Sequence, residues 1–167
     1  ITIVVTSCRY ALKNYIGANS KFYNPEIFPC LEDLSKSYVV IEKEFNNNVN
    51  GQSYDWPEKE LYDEDKNWKI IPLYGFGVWN NEYKYKLPKT IKLLKSIPNL
   101  KTAIFSRLGP HTTLKKHKGW AGLSNHVLRC HMGIEVPIGK SGISVEDSFR
   151  YVRKAKGVVF DDSKDHS

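Results

Sequence analysis

The first half of the chain mixes helical and strand-like hydrophobic patterns. Apolar residues recur at spacings of three and four from Leu31 to Phe45, which predicts a helix that buries one side. The polar run 46–51 predicts a loop after it. Short apolar runs over 68–79 are typical of strands, whereas 88–98, with proline near its start and just past its end, predicts a second helix.

The second half has a different pattern, typical of strands. Short β-rich segments separated by Gly, Pro and polar turns occur at 102–106, 127–136, 142–145 and 157–160. Helices followed by a run of strands predict a mainly β (α+β) fold with helices packed on one side. A double-stranded β-helix, the jelly-roll or cupin-like arrangement, fits the number and spacing of the strands. We expect residues 1–167 to form a single domain.

Composition limits the function classes without choosing one. The 167 residues, 41% of them hydrophobic, are enough for one domain with a core. The net charge is +7, with lysines concentrated in 84–95 and 115–118. No nucleic-acid-binding signature accompanies them, so we expect solvated lysines or a basic rim that attracts an anionic substrate, and no specific nucleic acid. A basic nucleic-acid-binding protein stays open as a weaker alternative.

The cysteines and the apolar N-terminal residues bear on where in the cell the protein is located. Cys8, Cys30 and Cys130 have neither the spacing of a metal site nor an even number for a disulfide framework, which favours a reducing compartment. The apolar segment 1–5 is far shorter than the roughly 20 residues of a membrane span, and no signal-peptide core follows it. We expect a cytoplasmic protein with no membrane span in this chain, and residues upstream of Ile1 that have been removed or left out.

Two histidines follow predicted strands. A hydroxylase iron site needs two imidazoles on one side of the metal and open positions opposite. His117 and His166 are far enough apart in sequence to come from two strands and meet at one metal. The usual first motif is His-x-Asp or His-x-Glu, but here it is His117-Lys118-Gly119. On spacing alone, an iron site is therefore not expected.

Four blocks, in their order and approximate spacing, resemble the aspartyl/asparaginyl β-hydroxylase family. They are Phe-Ser-Arg-Leu-Gly-Pro at 105–110, His-Lys-Gly at 117–119, Leu-Arg-Cys-His-Met-Gly at 128–133 and the segment 157–166. The similarity covers roughly residues 65 to 166. It implies an Fe(II)- and 2-oxoglutarate-dependent dioxygenase, in which O₂ oxidises 2-oxoglutarate to succinate and CO₂ and a hydroxyl is placed on an unactivated carbon. This family replaces the metal-binding carboxylate by glycine, and Gly119 stands at that position.

The resemblance implies roles for six residues: His117 and His166 as iron ligands, Ser106, Arg129 and His131 as contacts of 2-oxoglutarate, and Trp68 as an aromatic wall of its pocket. Arg129 and His131 can converge on one carboxylate, because residues two apart on a strand share a face. Structural roles remain open for Arg129 as a surface salt-bridge partner, for Ser106 as a turn residue and for Trp68 as core.

The remaining candidate residues are given structural roles. Asp161 and Asp162 are interpreted as a turn, or as a pair that orients His166 through a hydrogen bond to its free nitrogen. His111 and His126 have no counterpart in the resemblance and are interpreted as surface residues.

The resemblance also has implications for the substrate that receives the hydroxyl group and for the C-terminal end of the chain. It implies hydroxylation of Asp or Asn in a polypeptide, or of a lipid acyl chain as in relatives that act on lipid A. In this family an arginine follows the last histidine by about ten residues and holds the far carboxylate of 2-oxoglutarate. The chain stops at Ser167, so we expect one or more C-terminal strands to be missing. A catalytically inactive jelly-roll binding module is the alternative.

Overall fold

The computed structural model describes residues 1–8, 20–49, 53–63, 67–120, 127–139 and 141–167. The strands in these ranges are β1 (Thr2–Cys8), β2 (Phe22–Tyr23), β3 (Tyr54–Asp55), β4 (Trp68–Gly75), β5 (Val78–Trp79), β6 (Leu100–Leu108), β7 (Val127–Gly133), β8 (Gly142–Val145), β9 (Ser148–Tyr151) and β10 (Gly157–Asp161). The helices are α1 (Pro29–Lys36), α2 (Tyr38–Asn48), α3 (Asn81–Lys86) and α4 (Pro88–Lys95).

An antiparallel main sheet dominates the fold. Its strand order is β2-β10-β7-β1-β6-β4-β3, with β5 paired to β4. The central strand β1 pairs with β6 on one side and with β7 on the other. Ile3, Val4 and Val5 are almost completely buried, because a continuous apolar run suits a strand that is covered on both faces. The predicted class, mainly β with helices, is confirmed.

One face of the main sheet packs against the helices. Ile3 lies opposite Phe105 and Met132 in the register, so these side chains share that face. They join one core with apolar residues of three helices: Leu31, Leu34, Ile41, Ile91 and Leu94. Phe105 also meets Phe45 of α2 edge to face, with ring centroids 4.7 Å apart. The helical stripe predicted from the sequence is therefore the surface that covers the sheet.

Two boundaries differ from the prediction. The single predicted helix is divided into α1 and α2 at Ser37, whose backbone (φ −96°, ψ 9°) leaves the helical region. The predicted loop at 46–51 was wrong at its start, because α2 continues to Asn48, whose side-chain amide donates to the Glu44 carbonyl (3.0 Å). Residues 50 and 51 lie outside the described ranges.

The predicted helix that starts at Pro88 is confirmed as α4, and α2 caps it. The Glu44 carboxylate accepts hydrogen bonds from the backbone N–H of Lys89 (2.9 Å) and from the backbone N–H (2.8 Å) and hydroxyl (2.7 Å) of Thr90. The first N–H groups of a helix have no partner within it, and a carboxylate there also interacts favourably with the helix dipole. Glu44 thus fixes α4 to α2 on the back of the sheet.

A smaller antiparallel layer lies over the opposite face. The β8–β9 hairpin packs Ile143 and Val145 against Val158 and Phe160 of β10. Val145 forms an antiparallel bridge with His166, and His166 forms another with His117. The double-stranded β-helix topology stays a prediction, although two antiparallel layers are present. Among the helices in the described ranges, none has the length and apolar character needed to cross a membrane.

Candidate functional site

The predicted cosubstrate residues lie on the sheet face that the helices do not cover. Arg129 and His131 share a face of β7 because they are two residues apart. Arg129 lies opposite Thr6 of β1, and Thr2 of the same strand lies opposite Ser106. Ser106 and Trp68 reach the same face through the β4–β6 pairing, in which Ile70 lies opposite Ser106 and Trp68 opposite Leu108. These four residues, which come from three separate strands, therefore face one side.

His117 and His166 lie beside each other in the smaller layer. Their backbones form a reciprocal pair of hydrogen bonds, from His117 N–H to the His166 carbonyl (2.9 Å) and from His166 N–H to the His117 carbonyl (2.8 Å). Residues that exchange both bonds across antiparallel strands place their side chains on the same face. The two imidazole rings lie with centroids 4.4 Å apart.

Both imidazoles have the same hydrogen-bonding pattern. His117 Nδ1 bonds the Lys115 carbonyl and His166 Nδ1 bonds the Lys164 carbonyl, each at 2.8 Å. A carbonyl can only accept, so each Nδ1 carries a proton, and Nε2 is the ring nitrogen left for another partner. Burial lowers the pKa of His166 to about 4, so this ring is neutral at pH 7. Neutral imidazoles with free Nε2 lone pairs are the form that binds a divalent metal.

Arg129 is held by a buried carboxylate. Its Nε and Nη2 donate to the two oxygens of Asp162 at 2.5 and 3.0 Å. The Asp162 side chain is 0% exposed and that of Arg129 is 18% exposed. The guanidinium retains further N–H donors beyond those that Asp162 uses. The predicted surface salt-bridge alternative is therefore wrong about location, because the pair is largely buried.

The Asp161–Asp162 prediction is corrected in part. The oxygen Oδ1 of Asp162 lies 3.8 Å from His166 Nε2, too far for a hydrogen bond, and the other ring nitrogen is bonded to a backbone carbonyl. Asp162 therefore does not orient His166 by a hydrogen bond. Asp161 does form a turn, since its carboxylate accepts from the Ser163 N–H (3.0 Å) and hydroxyl (2.6 Å).

Trp68 and Ser106 are joined in the core of the site. The Trp68 Nε1–H donates to Ser106 Oγ at 2.9 Å, and both residues are buried. The Ser106 hydroxyl can still donate its own proton to another group. The Trp68 ring lies 6.4 Å from the His117 ring. Trp68 is therefore both a buried residue and a neighbour of the histidine pair.

His131 is connected to the histidine pair through an aromatic ring. Its imidazole lies 5.5 Å from the Phe160 ring, which lies 5.0 Å from the His166 ring. Burial and the nearby Arg129 charge hold the pKa of His131 well below its ordinary value. His131 is thus a neutral donor or acceptor on the same face as Arg129.

An aromatic group that the sequence pattern did not indicate lies beside the site. Trp56 stacks on Trp68 with centroids 4.4 Å apart, and Trp120 stacks on Trp56 at 6.0 Å. Glu58 accepts hydrogen bonds from both Trp56 and Trp120. The sequence did contain one indication of this group, because Trp120 is only three residues after His117.

Within the described ranges, no further histidine or acidic side chain joins His117 and His166 as a possible metal ligand. His111 is exposed with φ +55°, as expected for a surface turn, and His126 lies outside those ranges. No group of three or more His, Cys, Asp and Glu side chains that could hold a metal is found among the described residues. What the structure brings together is two imidazoles, with Gly119 N–H bonded to the Asp162 carbonyl (2.9 Å).

The paired histidines thus lie on the side of the antiparallel sheet that the helices do not cover, as do Arg129, His131, Ser106 and Trp68. The sequence profile of the aspartyl/asparaginyl β-hydroxylase family matches residues 35–167. The chain belongs to this family, and the resemblance predicted from the sequence is confirmed.

One curated relative is the ornithine lipid ester-linked acyl 2-hydroxylase of Rhizobium tropici. It is 31% identical over 157 residues, which are 89% of this chain and 54% of that protein. The chain therefore spans about half the length of the curated relative it matches.

Proposed function

We propose that this protein is an Fe(II)- and 2-oxoglutarate-dependent dioxygenase that hydroxylates an unactivated carbon. The observation that carries the proposal is the His117–His166 pair: two neighbouring imidazoles, each with Nδ1 bonded to a carbonyl and Nε2 free. We assign the iron to these two nitrogens. Gly119, at the usual carboxylate position, has no side chain to add to them. When bound, iron would supply an oxidation in which O₂ and 2-oxoglutarate give succinate, CO₂ and one hydroxyl on a substrate C–H.

The other site residues bind and orient the cosubstrate in this proposal. Arg129, positioned by Asp162, offers its remaining N–H groups to a carboxylate of 2-oxoglutarate. His131 contributes a neutral imidazole on the same face, and Ser106 contributes its hydroxyl proton. Trp68 closes one wall and excludes water, because its ring is buried and its N–H is already bonded.

We propose an acyl chain as the acceptor, ahead of the β-carbon of Asp or Asn expected from the family resemblance. The support is the relative whose name records an acyl 2-hydroxylase and which matches 89% of this chain. Asp or Asn in a polypeptide remains the second candidate, because the family takes its name from that reaction. The cytoplasmic location expected from the cysteines stays a prediction.

The proposed function is tested by formation of succinate from 2-oxoglutarate in the presence of Fe(II) and O₂. We expect turnover by the wild type and none by His117→Ala or His166→Ala, while His111→Ala, which changes an exposed histidine, keeps the wild-type rate. Wild-type protein that binds 2-oxoglutarate but forms no succinate would favour the inactive binding module.

A further inference from the structure

Three tryptophan rings form a row from the histidine pair to the protein surface. Trp68 lies 6.4 Å from the His117 ring, and the planes of Trp56 and Trp68 differ by 16°. Trp120 continues the row with its plane 21° from that of Trp56. Trp68 is 7% exposed, whereas Trp120 is 51% exposed. The row therefore connects the candidate reaction centre with solvent.

Hydrogen bonds hold the row in place and involve all three of its indole N–H groups. A single oxygen of Glu58 accepts from Trp56 Nε1 (3.0 Å) and from Trp120 Nε1 (3.2 Å). The Trp68 N–H is bonded to Ser106. Because all three indole N–H groups have partners, the surface that the row offers a ligand is aromatic and apolar. Leu108, which is 44% exposed and lies opposite Trp68 in the register, extends that surface.

Three lysines lie in the segment that leads to Trp120, the exposed end of the row. Lys115, Lys116 and Lys118 flank His117 and are exposed. The Lys115 N–H donates to the Leu61 carbonyl (2.8 Å), which fixes this segment beside the turn that follows Glu58. Among the ion pairs of the described residues, none involves these three lysines. An anionic group beside this segment would meet three lysines without an ion partner and, at the indole N–H of Trp120, the Glu58 carboxylate.

We propose that the row of Trp56, Trp68 and Trp120 binds the acyl chain of an anionic amphiphile, with the head group at Lys115, Lys116 and Lys118. The inference rests on the proposed function, because the row is interpreted as a substrate surface through its contact with the histidine pair. An acyl chain needs no hydrogen bonds and suits a surface without free polar groups. A polypeptide would bring backbone N–H and C=O groups that this surface cannot pair.

The test is the binding of N-lauroylglycine, kept below its micellar concentration, to chain supplied with Mn(II) and 2-oxoglutarate. Isothermal calorimetry gives the dissociation constant without turnover. We expect Trp120→Ala to raise it about tenfold, because an exposed indole side chain is lost from the contact. Trp120→Phe should retain most of the affinity. Tyr85→Ala removes another exposed aromatic ring, 76% exposed on α3, and should have no effect.

Several results would overturn the assignment: an unchanged dissociation constant for Trp120→Ala, equal binding of N-acetylglycine, or Trp120-dependent binding of an Asp-containing peptide in place of N-lauroylglycine. Binding of Mn(II) and 2-oxoglutarate, measured on the same samples, separates the two hypotheses. If both bind but Trp120→Ala changes nothing, the acyl surface is wrong and the proposed function stands. If neither binds while N-lauroylglycine affinity depends on Trp120, the acyl surface stands and the proposed function fails.

Discussion

Replacing Arg129 by methionine is expected to destabilise the fold because Asp162 loses its partner. The Asp162 side chain is 0% exposed, and both of its oxygens accept from the guanidinium. Removing one member of a buried ion pair costs about 3–5 kcal/mol. Since Arg129 is 18% exposed, some water can reach the vacated position. We therefore expect the lower end of that range, about 3 kcal/mol.

Urea unfolding followed by far-UV circular dichroism measures this cost. A loss of about 3 kcal/mol should lower the midpoint by roughly 1–2 M, given typical urea dependences for small proteins. The double variant with Arg129→Met and Asp162→Leu should recover most of the loss, because no charge is left buried. Lys69→Met is the matched control, since it breaks an exposed pair with Asp55 and should cost about 1 kcal/mol or less.

The stabilising role assigned to the buried Arg129–Asp162 pair is refuted if Arg129→Met lowers the free energy of unfolding no more than Lys69→Met does. It is also refuted if the double variant is less stable than Arg129→Met alone. The double variant also tests the proposed role of Arg129 without the burden of an unpaired carboxylate. It should lose affinity for 2-oxoglutarate while keeping Mn(II), because the histidine pair is intact.

Three further changes test the packing and charge of the site. Ser106→Ala should lower the free energy of unfolding by about 1–3 kcal/mol, measured by thermal unfolding, because it leaves the buried Trp68 N–H without its acceptor. Gly133→Ala should cost about 1–3 kcal/mol, since its Cβ would lie 2.4 to 2.8 Å from Val136 and the Arg153 backbone, whereas Gly75→Ala meets nothing within 4 Å and should cost less. The lowered pKa of His131 means that the unfolded chain takes up a proton before the folded chain does. The contribution of His131 to the free energy of unfolding is therefore fully present above about pH 6.5. Below that pH it decreases by about 1.4 kcal/mol per pH unit. In metal-free protein, His131→Gln should reduce the slope of the unfolding free energy against pH.

The parts of the fold that follow from local pattern could be predicted. Strands β4, β6, β7, β8 and β10 lie where apolar runs and turns indicated them, and α4 begins at the predicted proline. Strand β1 was not predicted, because the apolar residues 1–5 were compared only with a membrane span and a signal peptide. Its place at the centre of the sheet depends on pairing with β6 and β7, which lie about a hundred residues further along the chain. The break at Ser37 has no clear local signal, since the hydrophobic stripe continues through it.

The site shows the same division between local and long-range information. The positions of His117 and His166 came from family resemblance, but their adjacency depends on a bridge between segments 49 residues apart. The bond from Arg129 to Asp162 likewise depends on the pairing of β7 with β10, so residue type could not reveal it. The row of tryptophans joins three separate segments, which explains why sequence spacing did not indicate it.

The central claim is that His117 and His166 together hold one metal ion. Titration with Mn(II), followed by electron paramagnetic resonance, counts the bound ion directly and needs no turnover. We expect one Mn(II) per chain for the wild type and for His111→Ala, and loss of that ion in both His117→Ala and His166→Ala. Retention of wild-type binding by either of the last two variants, or loss of binding in His111→Ala, would contradict the assignment.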